Sequence, residues 1–173
     1  MSSWLWSEEP LTKLHDRQSF DCGDPDLNTF LQRYARQHHE HGGAKTFVAI
    51  NKENPQTILG FYTLSPACLN YARTPVILQR GLARYDVPAF RLARLAVTSD
   101  KQGQGLGGQL LLAAGRRCLH VAQEIGGLLL IIDAKNSKVA AWYERYGAIA
   151  LSDTPLTLVI PLATFKQALK ETY

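Results

Sequence analysis

A seven-residue segment, Gln-Gly-Gln-Gly-Leu-Gly-Gly at residues 102–108, restricts what this chain can fold into more than any other feature. Its glycines allow the backbone to approach a ligand closely. The residues that follow place Leu106, Leu110 and Cys118 on one stripe, which predicts a helix over about residues 105–122. Because the N-terminus of a helix favours an anion, this segment, called the glycine turn below, predicts a pyrophosphate-binding site.

The glycine turn matches more than one phosphate-binding motif. Read as G-x-G-x-x-G, it aligns Gly103, Gly105 and Gly108. Asp133 then ends the next strand, where dinucleotide-binding folds place a ribose-binding acid. In those folds the glycines follow the strand almost directly, whereas residues 98–102 intervene here. The chain after Asp133 is also too short to complete a doubly wound domain. The P-loop pattern fails because no Gly-Lys-Ser/Thr closes the turn.

The composition is that of an ordinary globular chain, with 46% apolar and 20% charged residues over 173 positions. The longest apolar run, residues 128–132, is far shorter than the ~20 residues that a membrane span needs. No apolar signal-peptide segment is evident, so we expect a cytoplasmic protein without a membrane partner. The three cysteines form no C-x-x-C pair and are expected to be reduced. The histidines His38, His39 and His41 are interpreted as a solvated helix end, and no metal site is expected.

Local patterns predict a mixed α/β chain. Asp24 is a suitable helix cap and Pro25 a suitable first residue, which predicts a helix that ends near Gly42. A turn is predicted at Asn54-Pro55 between the first two strands. Strands are predicted at 46–50, 58–64, 91–98, 128–133 and 156–160, a long connection at 70–88, and helices at 137–146 and at the C-terminus.

Positive charge is unevenly spread along the chain, although the net charge is only +4. Between residues 71 and 94 there is one acid, Asp86, and there are five arginines. These are Arg73, Arg80, Arg84, Arg91 and Arg94. A second basic stretch contains Arg33, Arg36 and Lys45. Both stretches suit a polyanionic partner, and solvated arginines on a loop are an equally open interpretation.

Two motifs together resemble a known superfamily. Read as Q-x-x-G-x-G, the glycine turn follows a Leu-Ala-Val strand at residues 95–97. Downstream, an apolar strand is followed by Asn136 and by Ala-Trp-Tyr-Glu-Arg-Tyr-Gly at 141–147. These motifs resemble the acetyl-CoA loop and the F-Y-x-x-x-G-F helix of the GNAT superfamily of N-acetyltransferases, with Ala148 in place of the usual Phe.

The GNAT resemblance implies a fold, a coenzyme and a set of site residues. The fold is α/β, with a central, mostly antiparallel sheet, splayed parallel strands and flanking helices, in a single domain over residues 1–173. The coenzyme is acetyl-CoA. Its expected binding residues are Leu95, Ala96, Val97, Gln102, Gly103, Gln104, Gly105, Leu106, Gly107, Gly108, Asn136 and Tyr143. Tyr143 is the expected general acid, with a core tyrosine whose hydroxyl is satisfied as the alternative. Tyr146 is expected in the core.

The N-terminal half narrows the resemblance. Residues 19–31, together with 60–64 and 94–97, resemble the GNAT toxins of toxin–antitoxin modules of the TacT and AtaT type. This implies acetylation of the α-amine of aminoacyl-tRNA, which blocks translation. It also implies neutralisation by a ribbon-helix-helix antitoxin, binding of operator DNA only through the antitoxin complex, and a homodimer as one option for assembly. The arginines expected to contact RNA are Arg33, Arg36, Arg73, Arg80, Arg84, Arg91 and Arg94.

No general base is evident in the sequence. An α-amine with a reference pKa of about 7.7–8.0 is partly neutral near pH ~7, whereas a lysine at about 10.4 is not. The lack of a base therefore favours an α-amino acceptor. A GNAT enzyme acting on a small-molecule amine or a protein N-terminus is the enzymatic alternative, and an acetyl-CoA-binding corepressor is the non-enzymatic one.

Overall fold

Residues 6–172, the part of the chain that this computed structural model describes, contain seven β-strands and six α-helices. The strands are β1 Trp6–Pro10, β2 Lys45–Asn51, β3 Asn54–Leu69, β4 Val87–Val97, β5 Leu129–Asp133, β6 Ile149–Ala150 and β7 Thr157–Pro161. The α-helices are α1 Pro25–Thr29, α2 Ala35–His41, α3 Val76–Gln79, α4 Leu106–Ile125, α5 Ser137–Glu144 and α6 Leu162–Thr172.

The strands form one sheet in the order β1-β2-β3-β4-β5-β7-β6. β4 and β5 pair in parallel, whereas the β1–β2, β2–β3, β5–β7 and β6–β7 pairs are antiparallel. The expected α/β fold with a mostly antiparallel sheet and flanking helices is confirmed. Within residues 6–172, no helix combines the length and the apolarity that crossing a bilayer requires.

The chain divides into two compact units. The first comprises Met1–Ser65 and Arg94–Leu111, and the second comprises Pro66–Ala93 and Leu112–Tyr173. Strands β3 and β4 and helix α4 each contain residues of both units.

A helical segment in the first unit begins and ends where the sequence predicts. Asp24 caps its first turn, Pro25 is its first residue, and Gly42 ends it with a φ of 82°. It is not one α-helix, because a π-helical turn, Phe30–Tyr34, lies between α1 and α2. The two apolar residues that open this turn are buried in the same core cluster as Phe61 of β3.

Strand β5 is the buried centre of the second unit. It pairs with β4 on one side, over Ala89 to Leu92, and with β7 on the other. Leu130, Ile131 and Ile132 are fully buried, as a continuous apolar run predicts for a strand covered on both faces.

Several element boundaries differ from the sequence expectations. The turn between β2 and β3 lies at Lys52-Glu53, so the prediction of a turn at Asn54-Pro55 is wrong. β3 already begins at Asn54, and proline is tolerated near the start of a strand. β4 begins at Val87, earlier than expected. The sequence did not predict β1 and β6, whose extended conformation depends on pairing with β2 and β7.

Candidate functional site

The glycine turn connects β4 to α4 and is shaped by two glycines in the left-handed region. Gly103 and Gly105 have φ values of 75° and 92°, which L side chains rarely adopt. A Cβ atom at either residue would meet nothing within 4 Å. Backbone conformation, rather than crowding, therefore requires glycine here, and the surface of the turn is open.

Helix α4 presents backbone donors at the end of this turn. The first four N–H groups of an α-helix lack an intrahelical carbonyl partner. Leu106 is buried and anchors the helix, while Gly107 and Gly108 carry no side chain that would cover these donors. The helix spans twenty residues, and its dipole adds a positive partial charge at this end. The arrangement fits a pyrophosphate, whose oxygen atoms accept hydrogen bonds from several N–H groups at once.

The C-terminal part of β4 leads into the turn. The β4–β5 pairing ends at Leu92 and Ile132, so residues 95–97 have no β5 partner within the described chain. On the β3 side, Gly60 allows close packing, because a Cβ there would lie 2.8 Å from the Ala96 carbonyl oxygen. The end of β4 therefore has one closely packed edge and one edge whose main-chain groups are unpaired by β5.

Gln102 directs its side chain toward the protein backbone. Its Nε2 donates to the carbonyl oxygens of Val97 and Cys22, both at 2.8 Å. Sequence reasoning placed Gln102 beside the coenzyme and missed this contact, because Cys22 is eighty residues away along the chain. No signal in the sequence identifies that pair. Gln104 is exposed, and its Nε2 donates to the Asp100 carbonyl oxygen at 3.1 Å.

Tyr143 belongs to the second unit and is a buried phenol on α5. Its side chain is 5% exposed, and its ring contacts Trp142 edge-on at a centroid distance of 4.9 Å. Burial raises the pKa of Tyr143 well above its ordinary value. Among residues 6–172, no group hydrogen-bonds its hydroxyl. The hydroxyl oxygen is not among the fully buried side-chain atoms that lack a partner, so it is accessible to a group from outside the protein.

Of the two residues that flank α5, one agrees with the sequence expectation and one does not. Asn136 precedes α5, as the helix predicted from residue 137 requires, and caps it, with its Oδ1 accepting from the Val139 N–H at 2.9 Å. The exposed Asn136 amide nitrogen is free of that contact. Tyr146 is 44% exposed, so the prediction that it packs in the core is wrong. The reason is that α5 ends at Glu144, which places Tyr146 in the following turn, with its ring 4.8 Å from Trp142.

The arginines expected to contact RNA differ in their surroundings. Four of them have protein partners: Arg36 pairs with Glu40, Arg73 with Asp153, Arg91 with Asp133, and Arg94 lies over the Phe30 ring. Three others, Arg33, Arg80 and Arg84, are exposed and make no ion pair in the described part of the chain. The ratio of one acid to five arginines, counted over residues 71–94, left out carboxylates elsewhere in the chain, and two of these, Asp133 and Asp153, form ion pairs with arginines of that stretch.

Cysteines and histidines contribute no metal centre that the structure shows. Across the described residues, no three His, Cys, Asp or Glu side chains are grouped as metal ligands. His39 accepts the Thr46 N–H at its Nδ1, 2.9 Å away, and belongs to the last turn of α2. Cys22 and Cys118 are buried free thiols, and Cys68 is exposed.

The sequence and the structure are similar to known proteins over most of the chain. A family model described as Acetyltransferase (GNAT) domain matches residues 42–147. The tRNA-acetylating toxin of Mycobacterium tuberculosis is 32% identical over 145 residues, 84% of this chain and 85% of that protein. AtaT complexed with acetyl-methionyl-tRNAfMet has a TM-score of 0.88 and 27% identity, covering 95% of this chain and 99% of that one. A tyrosine-to-phenylalanine mutant of AtaT, bound to the C-terminus of the antitoxin AtaR and acetyl-CoA, has a TM-score of 0.81 and 26% identity, covering 95% and 98%.

Proposed function

The chain belongs to the GNAT acetyltransferase family, and from this premise we propose that it is a toxin that acetylates aminoacyl-tRNA. It transfers the acetyl group of acetyl-CoA to the α-amine of the aminoacyl group, which blocks translation. The observation that carries the proposal is the similarity to a tRNA-acetylating toxin along most of both chains. The likeness to AtaT, whose structure includes an acetylated aminoacyl-tRNA, supports the same acceptor.

The first unit supports acetyl-CoA as the acetyl donor. The open backbone of the glycine turn and the N-terminus of α4 offer N–H donors that suit the pyrophosphate of the coenzyme. Residues 95–97, unpaired by β5, suit an extended pantetheine arm. When bound, acetyl-CoA supplies an acetyl group activated as a thioester. We assign the binding of this coenzyme to residues 95–97 and 103–108, with Asn136 and Tyr143.

Tyr143 is the proposed general acid. A tyrosine hydroxyl carries its proton at neutral pH, and burial raises the pKa of Tyr143 further. The alternative role, a core tyrosine with a satisfied hydroxyl, predicts a hydrogen-bond partner, and the described residues supply none. Tyr143 therefore holds a proton at its hydroxyl for the sulfur atom that leaves the acetyl group.

Aminoacyl-tRNA suits this protein as the acetyl acceptor in two respects, the low pKa of its amine and the negative charge of its phosphates. An aminoacyl ester carries an α-amine, whose reference pKa of about 7.7–8.0 leaves a useful fraction neutral without a general base. The exposed Arg33, Arg80 and Arg84 suit phosphate groups, since no carboxylate in the described chain neutralises them. We assign phosphate contacts to these three first, and to Arg36, Arg73, Arg91 and Arg94 as secondary contributors.

The toxin assignment brings further proposals about partners. An antitoxin of the ribbon-helix-helix class neutralises the enzyme, and the complex binds operator DNA through the antitoxin. A homodimer is the proposed assembly, which light scattering during size-exclusion chromatography would measure. We also propose that the whole chain is one domain, and a single cooperative unfolding transition is then expected.

The test of this function compares charged and deacylated tRNA. Purified protein is incubated with acetyl-CoA that carries a radioactive acetyl group, and the label on tRNA is counted. We expect label on the charged pool only, and mass spectrometry should place it on the α-amine. Label on a polyamine or a free amino acid, with none on charged tRNA, would assign the enzyme to small-molecule acetylation. Coenzyme binding without any transfer would favour the corepressor.

A further inference from the structure

The carbonyl oxygen of Asp21 anchors the entry to the glycine turn. Residues 21–28, called the N-terminal turn below, belong to the same compact unit as residues 98–102. The Asp21 carbonyl oxygen accepts from the Ser99 N–H at 2.9 Å, from Ser99 Oγ at 3.1 Å and from Thr98 Oγ1 at 3.3 Å. Three donors from the segment after β4 thus converge on one backbone atom.

Gln102 extends this contact and joins it to the end of β4. Its Nε2 donates to the carbonyl oxygens of Cys22 in the N-terminal turn and of Val97 in β4. Both hydrogens of the side-chain amide are therefore engaged, and none is left to donate to a coenzyme. Gln102 acts on the backbone of its own protein rather than on the ligand.

The N-terminal turn is stabilised by its own hydrogen bonds, so it holds the Asp21 and Cys22 carbonyl oxygens in defined positions. Gly23 has a φ of 85°, and its N–H donates to Asp21 Oδ1 at 2.9 Å. The Asn28 side chain closes the turn from the other side. Its Nδ2 donates to the same Asp21 carboxylate at 3.0 Å, and its Oδ1 accepts from the Cys22 N–H at 2.9 Å. A substitution at Asn28 thus loosens the turn without touching the glycine turn directly.

We propose that the N-terminal turn is a positioning element for acetyl-CoA, with Gln102 and Asn28 as its positioning residues. Beyond Gln102, Gly103 and Gly105 have no atoms near a Cβ position, so side-chain packing does little to hold the shape of the loop. A loop that must be ordered when a ligand binds lowers the affinity by the entropy it loses. The N-terminal turn removes that loss by holding the loop ready beforehand. The inference rests on the proposed coenzyme and not on the identity of the acceptor.

The first test compares two glutamines that make the same kind of contact. Gln79 in the second unit also donates from Nε2 to two carbonyl oxygens, those of Tyr71 and Thr74, each at 3.1 Å. Gln102→Met and Gln79→Met therefore remove equivalent hydrogen bonds. Calorimetry should show the Kd of acetyl-CoA raised about tenfold in Gln102→Met and unchanged in Gln79→Met. At saturating acetyl-CoA, kcat should stay within about twofold of the wild type, since Gln102 does not contact reacting atoms.

A second test uses Asn28→Ala, which alters the N-terminal turn and leaves Gln102 in place. Without coenzyme, this variant should speed hydrogen exchange of the amides of residues 103–108, and in a binding experiment it should raise the Kd of acetyl-CoA. Ser99→Ala should have the same effects to a smaller extent. Variants that lower Tm as Gln79→Met does, yet bind acetyl-CoA with the wild-type Kd, would show a purely structural role and overturn the proposal. If the wild type binds acetyl-CoA but labels no tRNA, the acceptor assignment fails, and the comparison of these variants still decides the inference.

Discussion

Replacing Tyr143 by phenylalanine separates the chemistry of this residue from its packing. The ring of Tyr143 is buried and contacts Trp142, and phenylalanine keeps both features. The hydroxyl has no hydrogen-bond partner in the part of the chain that the structure describes, so its removal leaves no protein group unsatisfied. We therefore expect the free energy of unfolding to change by less than about 1 kcal/mol. Tyr143→Phe is therefore expected to be a folded, stable protein that lacks the proposed proton donor.

The expected effect on turnover is much larger. General acid catalysis is worth about 10²–10⁴-fold, which corresponds to about 3–5 kcal/mol in the barrier. With charged tRNA and saturating acetyl-CoA, Tyr143→Phe should lower kcat by that factor and weaken the binding of acetyl-CoA far less, by about tenfold at most, as for the loss of one hydrogen bond. The Tyr143 hydroxyl is protonated across the neutral range, since burial moves its pKa further above the ordinary tyrosine value. The pH dependence of kcat/KM near neutrality should therefore follow the acceptor amine, with a similar profile in the wild type and in the variant.

Tyr146→Phe is the matched control, because Tyr146 is exposed and its ring contacts the same tryptophan. It should retain nearly the full rate. The assignment of Tyr143 as the acid is refuted if Tyr143→Phe keeps near wild-type kcat in the folded protein, since solvent or another group then protonates the leaving sulfur. In cells that lack the antitoxin, expression of the wild type should arrest growth, and Tyr143→Phe should relieve the arrest.

Three further outcomes are expected. Arg84→Ala should reduce the slope of log tRNA affinity against log salt concentration by about 0.7–0.9. Arg73→Ala should reduce this slope by clearly less, because Asp153 already pairs with Arg73. Equal slopes for the two variants would contradict the assignment. Burial raises the pKa of Cys118 from 9.0 to about 12, so the unfolded chain ionises first and stability is lost as pH rises through that window. In Cys118→Ala, the fall of the free energy of unfolding with pH should be smaller in this window by about 1.4 kcal/mol per pH unit. An unchanged slope would show that the Cys118 thiol does not cause this loss of stability. Gly60→Ala should lower the free energy of unfolding by about 1–3 kcal/mol, since its Cβ meets a β4 carbonyl oxygen at 2.8 Å, whereas Gly43→Ala, with open space around it, should not cause such overpacking.

Local chemistry in the sequence was enough to predict the elements that depend on their own residues. Asp24, Pro25 and Gly42 mark the ends of a helical segment because caps and left-handed glycines act within one turn of the backbone. The apolar run of β5 and the stripe of α4 follow from periodicity alone. The glycine turn was recognisable for the same reason, since its φ values depend on the residues that carry them.

Tertiary structure decided the features that depend on distant partners. β1 and β6 are strands only because β2 and β7 pair with them. These strands have five and two residues, which are too few to carry a sequence pattern that predicts the pairing. Arg73 is an ion-paired side chain because Asp153 is brought to it, although the local sequence shows a cation in a basic stretch. Gln102 holds the backbone of a turn eighty residues away instead of a ligand. In each case the sequence specifies which donors, charges and apolar groups are present, and only the folded chain determines which of them meet.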